Sequence, residues 1–195
     1  MPTPPRHSRG AQARTLRIIG GRWRGRKLRF PDDAAIRPTP DRVRETLFNW
    51  LGPAVAGCRC LDLFAGSGAL GLEAVSRGAS RVLFVEQGAA AARDLKTTLD
   101  EWGGSEGEVR RADALGLLAG PPERFDIVFL DPPFASTLLA SAAQALAQGG
   151  WLAPGALIYA EAPSREGLPP LPASWELLKA KQAGEVGYHL LRHAP

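Results

Sequence analysis

The strongest constraint on the fold is an alternation of short apolar runs with amphipathic stretches, which begins at Cys58. Each run has the length of a buried strand and is followed by a turn that contains Gly or Pro. Helix patterns, such as the one over Leu138–Ala147, fill the intervals. The runs cover residues 58–64, 81–86, 125–130 and 156–161, with a weaker strand candidate at 108–114. Because strands that alternate with helices favour a parallel sheet, we predict an α/β fold with a doubly wound, mostly parallel sheet.

The last strand candidates, the cysteines and the histidines limit the kinds of protein that this chain can be. Two further strand candidates, 175–181 and 186–192, predict a closing hairpin. Cys58 and Cys60 share one face of a strand and are expected to pack inside, which leaves no disulfide framework. The three histidines offer no zinc set, and no apolar run is long enough to span a membrane. We therefore expect a soluble, cytoplasmic monomer without a metal.

Positive charge is concentrated near the start of the chain. Residues 1–44 carry twelve of the 24 Lys and Arg residues but only three acids, which predicts a polyanionic partner. Strand candidates Thr15–Ile19 and Arg26–Phe30 flank GGRWRG and predict a hairpin, whose basic and aromatic side chains suit phosphate contacts and base stacking. The alternative is a hairpin that is merely exposed and basic. The residues expected to contact nucleic acid are Arg17, Arg22, Trp23, Arg24, Arg26 and Lys27.

The sequence also predicts a helix near residues 39–51 and a division of the chain into three segments. Thr39 is a favourable N-cap residue and Pro40 suits the first helical position. The apolar stripe that follows predicts an amphipathic helix ending near Leu51. We expect a disordered tail over residues 1–13, a basic hairpin and helix over 14–51, and the doubly wound domain over 52–195.

The first strand ends in DLFAGSGALG, the pattern of a ligand-binding glycine loop. Gly66 and Gly68 allow a tight turn and a close approach of the backbone to a ligand, and the following helix offers free N–H groups. Glu86 closes the second strand, where an acid commonly binds ribose hydroxyls. The order strand, loop, helix and acid favours a nucleotide-like cofactor over a structural turn.

A carboxylate in this loop indicates which cofactor. The Asp62 carboxylate lies where it would repel the pyrophosphate of a dinucleotide. It suits a ligand that has an ammonium group and a nearby sulfonium. S-adenosylmethionine is such a ligand. Asp113, at the end of the third strand, is either an acceptor for the adenine amine or a solvated acid.

The fourth strand ends in DPPF, because Pro cannot continue a central ladder. The Asp131 carboxylate and the Pro132 carbonyl are suitable acceptors for the two N–H groups of a planar amine. Pro133 adds rigidity, and Phe134 can stack on a base that has flipped out of its helix or loop. The alternative is a rigid loop with no chemical role.

Several motifs resemble one family. They are RIIGGRWRGRKL, RPTPDRVRETLFNWL, LDLFAGSGALGLEA, DIVFLDPPF, ALIYAE and the final YHLLR. The chain resembles the RsmD family, bacterial methyltransferases that modify a guanine N2 in 16S ribosomal RNA. The resemblance implies a Rossmann-like class I methyltransferase sheet of seven strands with a reversed terminal strand. It also implies S-adenosylmethionine as the donor and the small ribosomal subunit, or its assembly intermediate, as the partner.

The resemblance also implies residue roles. The methionine part of the donor would be bound by Asp62, Phe64, Gly66, Ser67 and Gly68. The ribose and adenine would be bound by Glu86, Gln87, Asp113 and Ala114. The target amine would be bound by residues 131–134, and the same pocket would be bordered by Arg37 and Thr39.

Two other functions remain open at this point. One is methylation of another planar amine, such as adenine N6 in DNA or RNA or an amide in a protein. The other is a non-enzymatic RNA-binding assembly factor that keeps the fold.

Overall fold

The computed structural model describes residues 14–30, 39–134 and 137–194. The predicted disorder of residues 1–13 and the predicted role of Arg37 lie outside this range. The strands are β1 (Arg14–Arg17), β2 (Lys27–Phe30), β3 (Arg59–Asp62), β4 (Arg81–Glu86), β5 (Gly107–Arg111), β6 (Phe125–Leu130), β7 (Leu152–Pro163), β8 (Trp175–Ala183) and β9 (Val186–His193). The helices are α1 (Asp41–Leu51), α2 (Ala69–Ser76), α3 (Ala89–Trp102), α4 (Ala114–Leu118) and α5 (Leu138–Gln148). Within these ranges, no helix has the length and apolar content to cross a membrane.

The main sheet has seven strands in the order β5-β4-β3-β6-β7-β9-β8. The first five in this order pair in parallel, whereas β9 runs antiparallel to both β7 and β8. The predicted doubly wound sheet with a reversed terminal strand is therefore confirmed, as is the closing hairpin. Since β3 and β6 are neighbours, the glycine loop and the DPPF turn leave the sheet side by side.

Two buried clusters cover the opposite faces of this sheet. Successive residues of a strand point to opposite faces, so one strand contributes to both clusters. On one face, Cys60, Phe84 and Phe129 pack with residues of α1, α2, α3 and the hairpin. On the other face, Leu61, Leu83 and Val128 pack with residues of α4 and α5. This double coverage explains why the central strands read as unbroken apolar runs.

The basic hairpin, β1 with β2, packs against the end of α2. A 3-10 turn at Gly21–Trp23 joins its strands. Gly21 has φ +74°, and a Cβ there would lie 1.9 Å from the Ser76 carbonyl oxygen, so this contact requires glycine. The Ser76 hydroxyl accepts from Trp23 N–H at 2.9 Å and donates to the Gly20 carbonyl at 2.6 Å. The turn is therefore fixed to the body of the protein.

A buried carboxylate provides the second attachment of the hairpin. Glu73 of α2 accepts from the N–H groups of Ile19 and Gly20, both at 2.8 Å. It also accepts from Arg77 Nε at 2.8 Å and lies 3.4 Å from Arg44 Nη1. Both Glu73 and Arg44 are fully buried. The carboxylate thus joins the hairpin, α1 and α2 through charge-assisted hydrogen bonds.

Two local predictions differ from the structure. The prediction that Thr39 caps α1 is wrong, because the helix begins at Asp41 and the residue before it, Pro40, makes no side-chain cap. The Thr39 hydroxyl is instead bonded to carboxylates in the candidate site. The short helix α4 was not predicted from the sequence. Its N-cap is Asp113, whose carboxylate accepts from Gly116 N–H at 2.7 Å.

We predict that Glu73→Gln lowers the free energy of unfolding by about 3 kcal/mol or more, because it removes the buried anion beside Arg44 and leaves the exposed Asp41 as the remaining acid paired with that guanidinium. Urea unfolding followed by circular dichroism measures this change. Glu106→Gln is the matched control, since Glu106 also binds the hairpin, through Arg22 at 2.7 Å, but at an exposed site. Its expected cost is about 1 kcal/mol or less. Equal losses in the two variants would contradict the role assigned to Glu73.

Candidate functional site

Three of the predicted acids meet at the carboxyl edge of the sheet. Asp62 ends β3, Glu86 ends β4, and Asp131 directly follows β6. The register places Asp62 opposite Phe84 of β4 and Phe129 of β6. The charge of Glu86 raises the pKa of Asp62, and the charge of Asp62 raises the pKa of Asp131, as expected for carboxylates at neighbouring strand ends. This edge of a doubly wound sheet, where the strand order changes direction, is where such folds bind ligands.

The glycine loop, residues 63–68, connects β3 to α2 and packs against α3. Gly68 precedes α2 with φ +77°, and a Cβ there would lie 2.4 Å from Leu95 Cδ1 of α3. Glycine at this position therefore lets the loop pack against α3. Phe64, Gly66 and Ser67 are half-buried. The loop consequently presents backbone and small side chains at the strand edge.

Glu86 fixes this loop from the neighbouring strand. One of its oxygens accepts from Gly66 N–H at 2.8 Å, and the other accepts from Gly88 N–H at 2.6 Å. The carboxylate therefore bridges the loops that follow β3 and β4. Each oxygen keeps a second lone pair, which can accept from a ligand hydroxyl. Gln87, the next residue, is exposed.

Asp62 is a buried acid, only 3% exposed. It accepts one backbone hydrogen bond, from Gly71 N–H at 3.0 Å. Burial raises the pKa of Asp62 to about 7, the charge of Glu86 adds to this effect, and the Gly71 hydrogen bond opposes it. A cationic group of a ligand beside Asp62 would restore its ionised form. The site therefore has the electrostatic character that an ammonium group requires.

Asp131 belongs to a polar cluster formed by α1's N-terminal segment, β6 and β7. The Thr39 hydroxyl lies 3.5 Å from Asp131 Oδ2 and 3.0 Å from Glu161 Oε1. Tyr159 donates to the same Glu161 oxygen at 2.6 Å. The pKa of Asp131 is raised well above its ordinary value, first by burial and then by the charges of Glu161 and Asp62. Burial also raises the pKa of Glu161.

Glu161 and Tyr159 were missed by the sequence analysis. Glu161 is 3% exposed and Tyr159 is fully buried. The available signal was the acid that follows the apolar run ALIYA, in the same position relative to its strand as Glu86. A buried strand rarely carries an acid without a partner or a role.

The four residues of the DPPF turn differ in their exposure to solvent. Asp131 is half-buried and Pro132 is buried, whereas Pro133 and Phe134 are exposed. The Phe134 ring is 38% exposed, which is unusual for a side chain of this size beside a buried strand. The strand ends at Leu130, as the prolines predicted. An aromatic face is therefore accessible next to the Asp131 carboxylate.

The remaining predicted donor residues lie at the end of β5. Asp113 is exposed, and one of its oxygens caps α4. Ala114 is the first residue of α4 and is buried. The capping role of Asp113 explains this acid structurally, and within the described ranges its second oxygen has no hydrogen-bond partner.

The predicted nucleic-acid residues separate into two groups. Trp23 is 3% exposed and packs edge to face on Trp102 at 5.3 Å, so its prediction as a stacking ring is wrong. Arg22 makes a two-pronged contact with Glu106 at 2.8 and 2.7 Å. The alternation of basic and aromatic residues did not reveal that the ring faces inward. Arg17, Arg24, Arg26 and Lys27 are also exposed, and none of them forms an ion pair with an acid among the described residues.

Comparisons with known proteins agree with this geometry. The family model described as Conserved hypothetical protein 95 matches residues 16–192. Ribosomal RNA small subunit methyltransferase D of Escherichia coli (strain K12) is 48% identical over 186 residues, which cover 95% of this chain and 92% of the relative. The solved structure of the Escherichia coli protein yhhF is 45% identical, with a TM-score of 0.85 over 92% of this chain and 98% of that one.

A more distant solved structure agrees in fold alone. It is an RNA methyltransferase from Salinibacter ruber in complex with S-adenosyl-L-homocysteine, 15% identical, with a TM-score of 0.62 over 81% of this chain and 94% of that one. The predicted Rossmann-like methyltransferase fold is therefore confirmed. The chain belongs to the Conserved hypothetical protein 95 family, which is the RsmD family that its motifs predicted.

Proposed function

We propose that this protein transfers a methyl group from S-adenosylmethionine to the exocyclic N2 amine of a guanine in 16S ribosomal RNA. The observation that carries the proposal is the position of Asp131–Phe134 beside the glycine loop, at the ends of the neighbouring strands β3 and β6. The 48% identity to a relative named as a small-subunit ribosomal RNA methyltransferase supports ribosomal RNA as the substrate. The small subunit or its assembly intermediate is the corresponding partner.

The residues at the glycine loop fit the proposed donor. Asp62 is a buried carboxylate whose ionised form needs a cation, and the ammonium group of the donor supplies one. Glu86 is held by two backbone N–H groups and has lone pairs for the ribose hydroxyls. Further contacts would come from Phe64, Gly66, Ser67 and Gly68 to the methionine part and from Gln87, Asp113 and Ala114 to the adenine. When bound, the donor supplies an electrophilic methyl group.

The DPPF turn fits the proposed acceptor. The amine of guanine is a poor nucleophile because its lone pair is delocalised into the ring. The Asp131 carboxylate and the Pro132 carbonyl would accept its two N–H groups and direct the lone pair. The exposed Phe134 ring would stack on the base after it has flipped from its stack. Positioning and electrostatic stabilisation by fixed groups would provide the rate acceleration.

The exposed part of the basic hairpin fits a phosphate backbone. Arg17, Arg24, Arg26 and Lys27 are exposed and form no ion pair with an acid among the described residues. Arg22 is less suited to RNA because Glu106 occupies both arms of its guanidinium. The hairpin is rigidly attached through Glu73 and Ser76, so its charges have a fixed position relative to the pocket.

We predict that Asp131→Ala lowers methyl transfer by about 100-fold or more, because it removes a fixed acceptor for the amine. Donor affinity should change little. Radiolabelled donor is incubated with 16S ribosomal RNA, small subunits and duplex DNA, and calorimetry measures donor binding. Asp100→Ala, at an exposed position of α3, is the control that should keep full activity.

The same assay distinguishes the competing functions. Label in DNA or in an adenine would favour the alternative amine substrates. A protein that binds RNA but no donor would be an assembly factor, and full activity of Asp131→Ala would contradict the proposed mechanism.

We predict that Arg24→Ala weakens RNA binding and lowers the slope of log affinity against log salt by about one, since one phosphate contact is lost. Filter binding over a range of salt concentrations measures both quantities. Arg124→Ala serves as the control, because Arg124 is equally exposed but precedes β6 and so lies at the opposite edge of the sheet. If the two variants bind RNA alike, the hairpin is not the RNA-binding surface.

We predict that Asp62→Asn weakens donor binding by about tenfold or more while stabilising the free protein. The folded-state pKa of about 7 lies above the ordinary 3.8, so folding stability falls as pH rises between these values. The Asp62→Asn variant does not lose stability in this way, because asparagine does not ionise. Its advantage in melting temperature over the wild type should therefore grow from pH 4 to pH 7 and then level off. A stability difference that does not vary with pH would contradict the electrostatic character assigned to Asp62.

A further inference from the structure

A second carboxylate lies behind Asp131 and has no role in the contacts proposed above. Glu161 is 3% exposed and lies in β7, next to the strand that Asp131 follows. A buried carboxylate beside a half-buried one is unfavourable, because each opposes the ionisation of the other. A fold that retains such a pair at a reactive site calls for a functional explanation.

The geometry assigns distinct roles to the two hydroxyls of this cluster. Tyr159 donates to Glu161 Oε1 at 2.6 Å. The Thr39 hydroxyl has one hydrogen and lies near two carboxylates. Its oxygen is 3.0 Å from Glu161 Oε1 and 3.5 Å from Asp131 Oδ2. Thr39 therefore donates to Glu161. Its oxygen then faces Asp131 Oδ2 and can accept a hydrogen bond from it when Asp131 carries a proton.

Thr39 is itself held from the side of its backbone. Arg44 Nε donates to the Thr39 carbonyl at 3.2 Å, and Arg44 is fully buried. Glu161 on one side and Arg44 on the other thus leave Thr39 little freedom. Contacts through Thr39 therefore connect Glu161 to Asp131 in the DPPF turn.

We propose that Glu161 is a positioning residue for Asp131: it holds the Thr39 hydroxyl beside one Asp131 oxygen and places a second negative charge next to the carboxylate that receives the proton. This inference rests on the proposed function. When the nitrogen–carbon bond forms and the carbon–sulfur bond breaks, the sulfur keeps its bonding pair and the nitrogen carries one proton too many. That N–H bond then breaks, its electron pair stays on nitrogen, and the proton passes to the Asp131 carboxylate.

The surrounding charges support this assignment. The groups that face Asp131 or its partners are Asp62 from β3, Glu161 and Tyr159 from β7, Tyr188 from β9, and the Arg44 guanidinium at the Thr39 carbonyl. Glu161 raises the pKa of Asp131 more than Asp62 does. Asp62 would be neutralised by the donor's ammonium group. The Thr39 and Tyr159 hydroxyls that donate to Glu161 are neutral, so they leave its negative charge in place when the donor is bound.

Glu161→Gln tests the charge, because glutamine keeps an oxygen that can accept from Thr39 and Tyr159. The carboxyl carbons of the full-length protein are titrated by 13C NMR, with Asp131 identified as the signal that Asp131→Asn removes. We expect the Asp131 titration midpoint to fall by about one pH unit or more in Glu161→Gln. The acidic limb of the kcat profile should move in the same direction, and maximal kcat should fall about tenfold because a weaker base accepts the proton. Glu185→Gln, at an exposed position, should move neither.

Thr39→Val and Thr39→Ser test the bridge independently. Valine removes the hydroxyl, whereas serine keeps it, so kcat should fall in the first variant and recover in the second while donor affinity stays unchanged. Equal kcat in the two variants, or an unmoved Asp131 midpoint in Glu161→Gln, overturns the inference. If the wild type methylates no nucleic acid but the midpoint shifts, the proposed function falls and the pairing of Glu161 with Asp131 stands.

Discussion

The architecture of the N-terminal region depends on one buried carboxylate. Glu73 accepts hydrogen bonds from two hairpin N–H groups and from Arg77, and it neutralises the fully buried Arg44. A buried cation needs anions close by, and Glu73 is the buried one beside Arg44, which also pairs with the exposed Asp41, so this acid stabilises the packing of the hairpin, α1 and α2. Arg44 then extends the network to Arg17 and Thr39 through their carbonyls. The basic hairpin and the candidate site are consequently parts of one rigid assembly.

This connection gives a physical reason for the order of motifs along the chain. The segment that carries the exposed positive charge also supplies Thr39, which contacts Asp131 and Glu161. The N-terminal region therefore both carries exposed positive charge and completes the polar cluster behind the DPPF turn. A domain that binds RNA through a flexible arm would not fix the distance between these two features. Here the hydrogen bonds of Glu73, Ser76 and Arg44 fix it.

Much of the fold was predictable because it depends on short-range pattern. The strands, the turns at Gly and Pro, and the closing hairpin follow from local periodicity, and the adjacency of β3 and β6 follows from the rules of doubly wound sheets. The inward face of Trp23 was not predictable, because Trp102, its partner, is distant in sequence. Thr39 failed as a cap for the same reason: Glu161, 122 residues away, competes for its hydroxyl. Glu73 looked like an ordinary helix residue, and only the packed hairpin makes it central.

The candidate site also explains an apparent weakness of the fold. Burial raises the pKa of Asp62, Asp131 and Glu161, so each carboxylate is held where its charged form is disfavoured. No gain in folding stability accounts for three such groups at one edge of the sheet. A cationic ligand at Asp62 and N–H donors at Asp131 would offset this cost when they bind, which couples occupancy to stability. The acids that destabilise the ligand-free protein are therefore the groups that would select a cationic donor and an amine acceptor. The burial that weakens the fold would also strengthen the electrostatic interaction of these acids with both ligands.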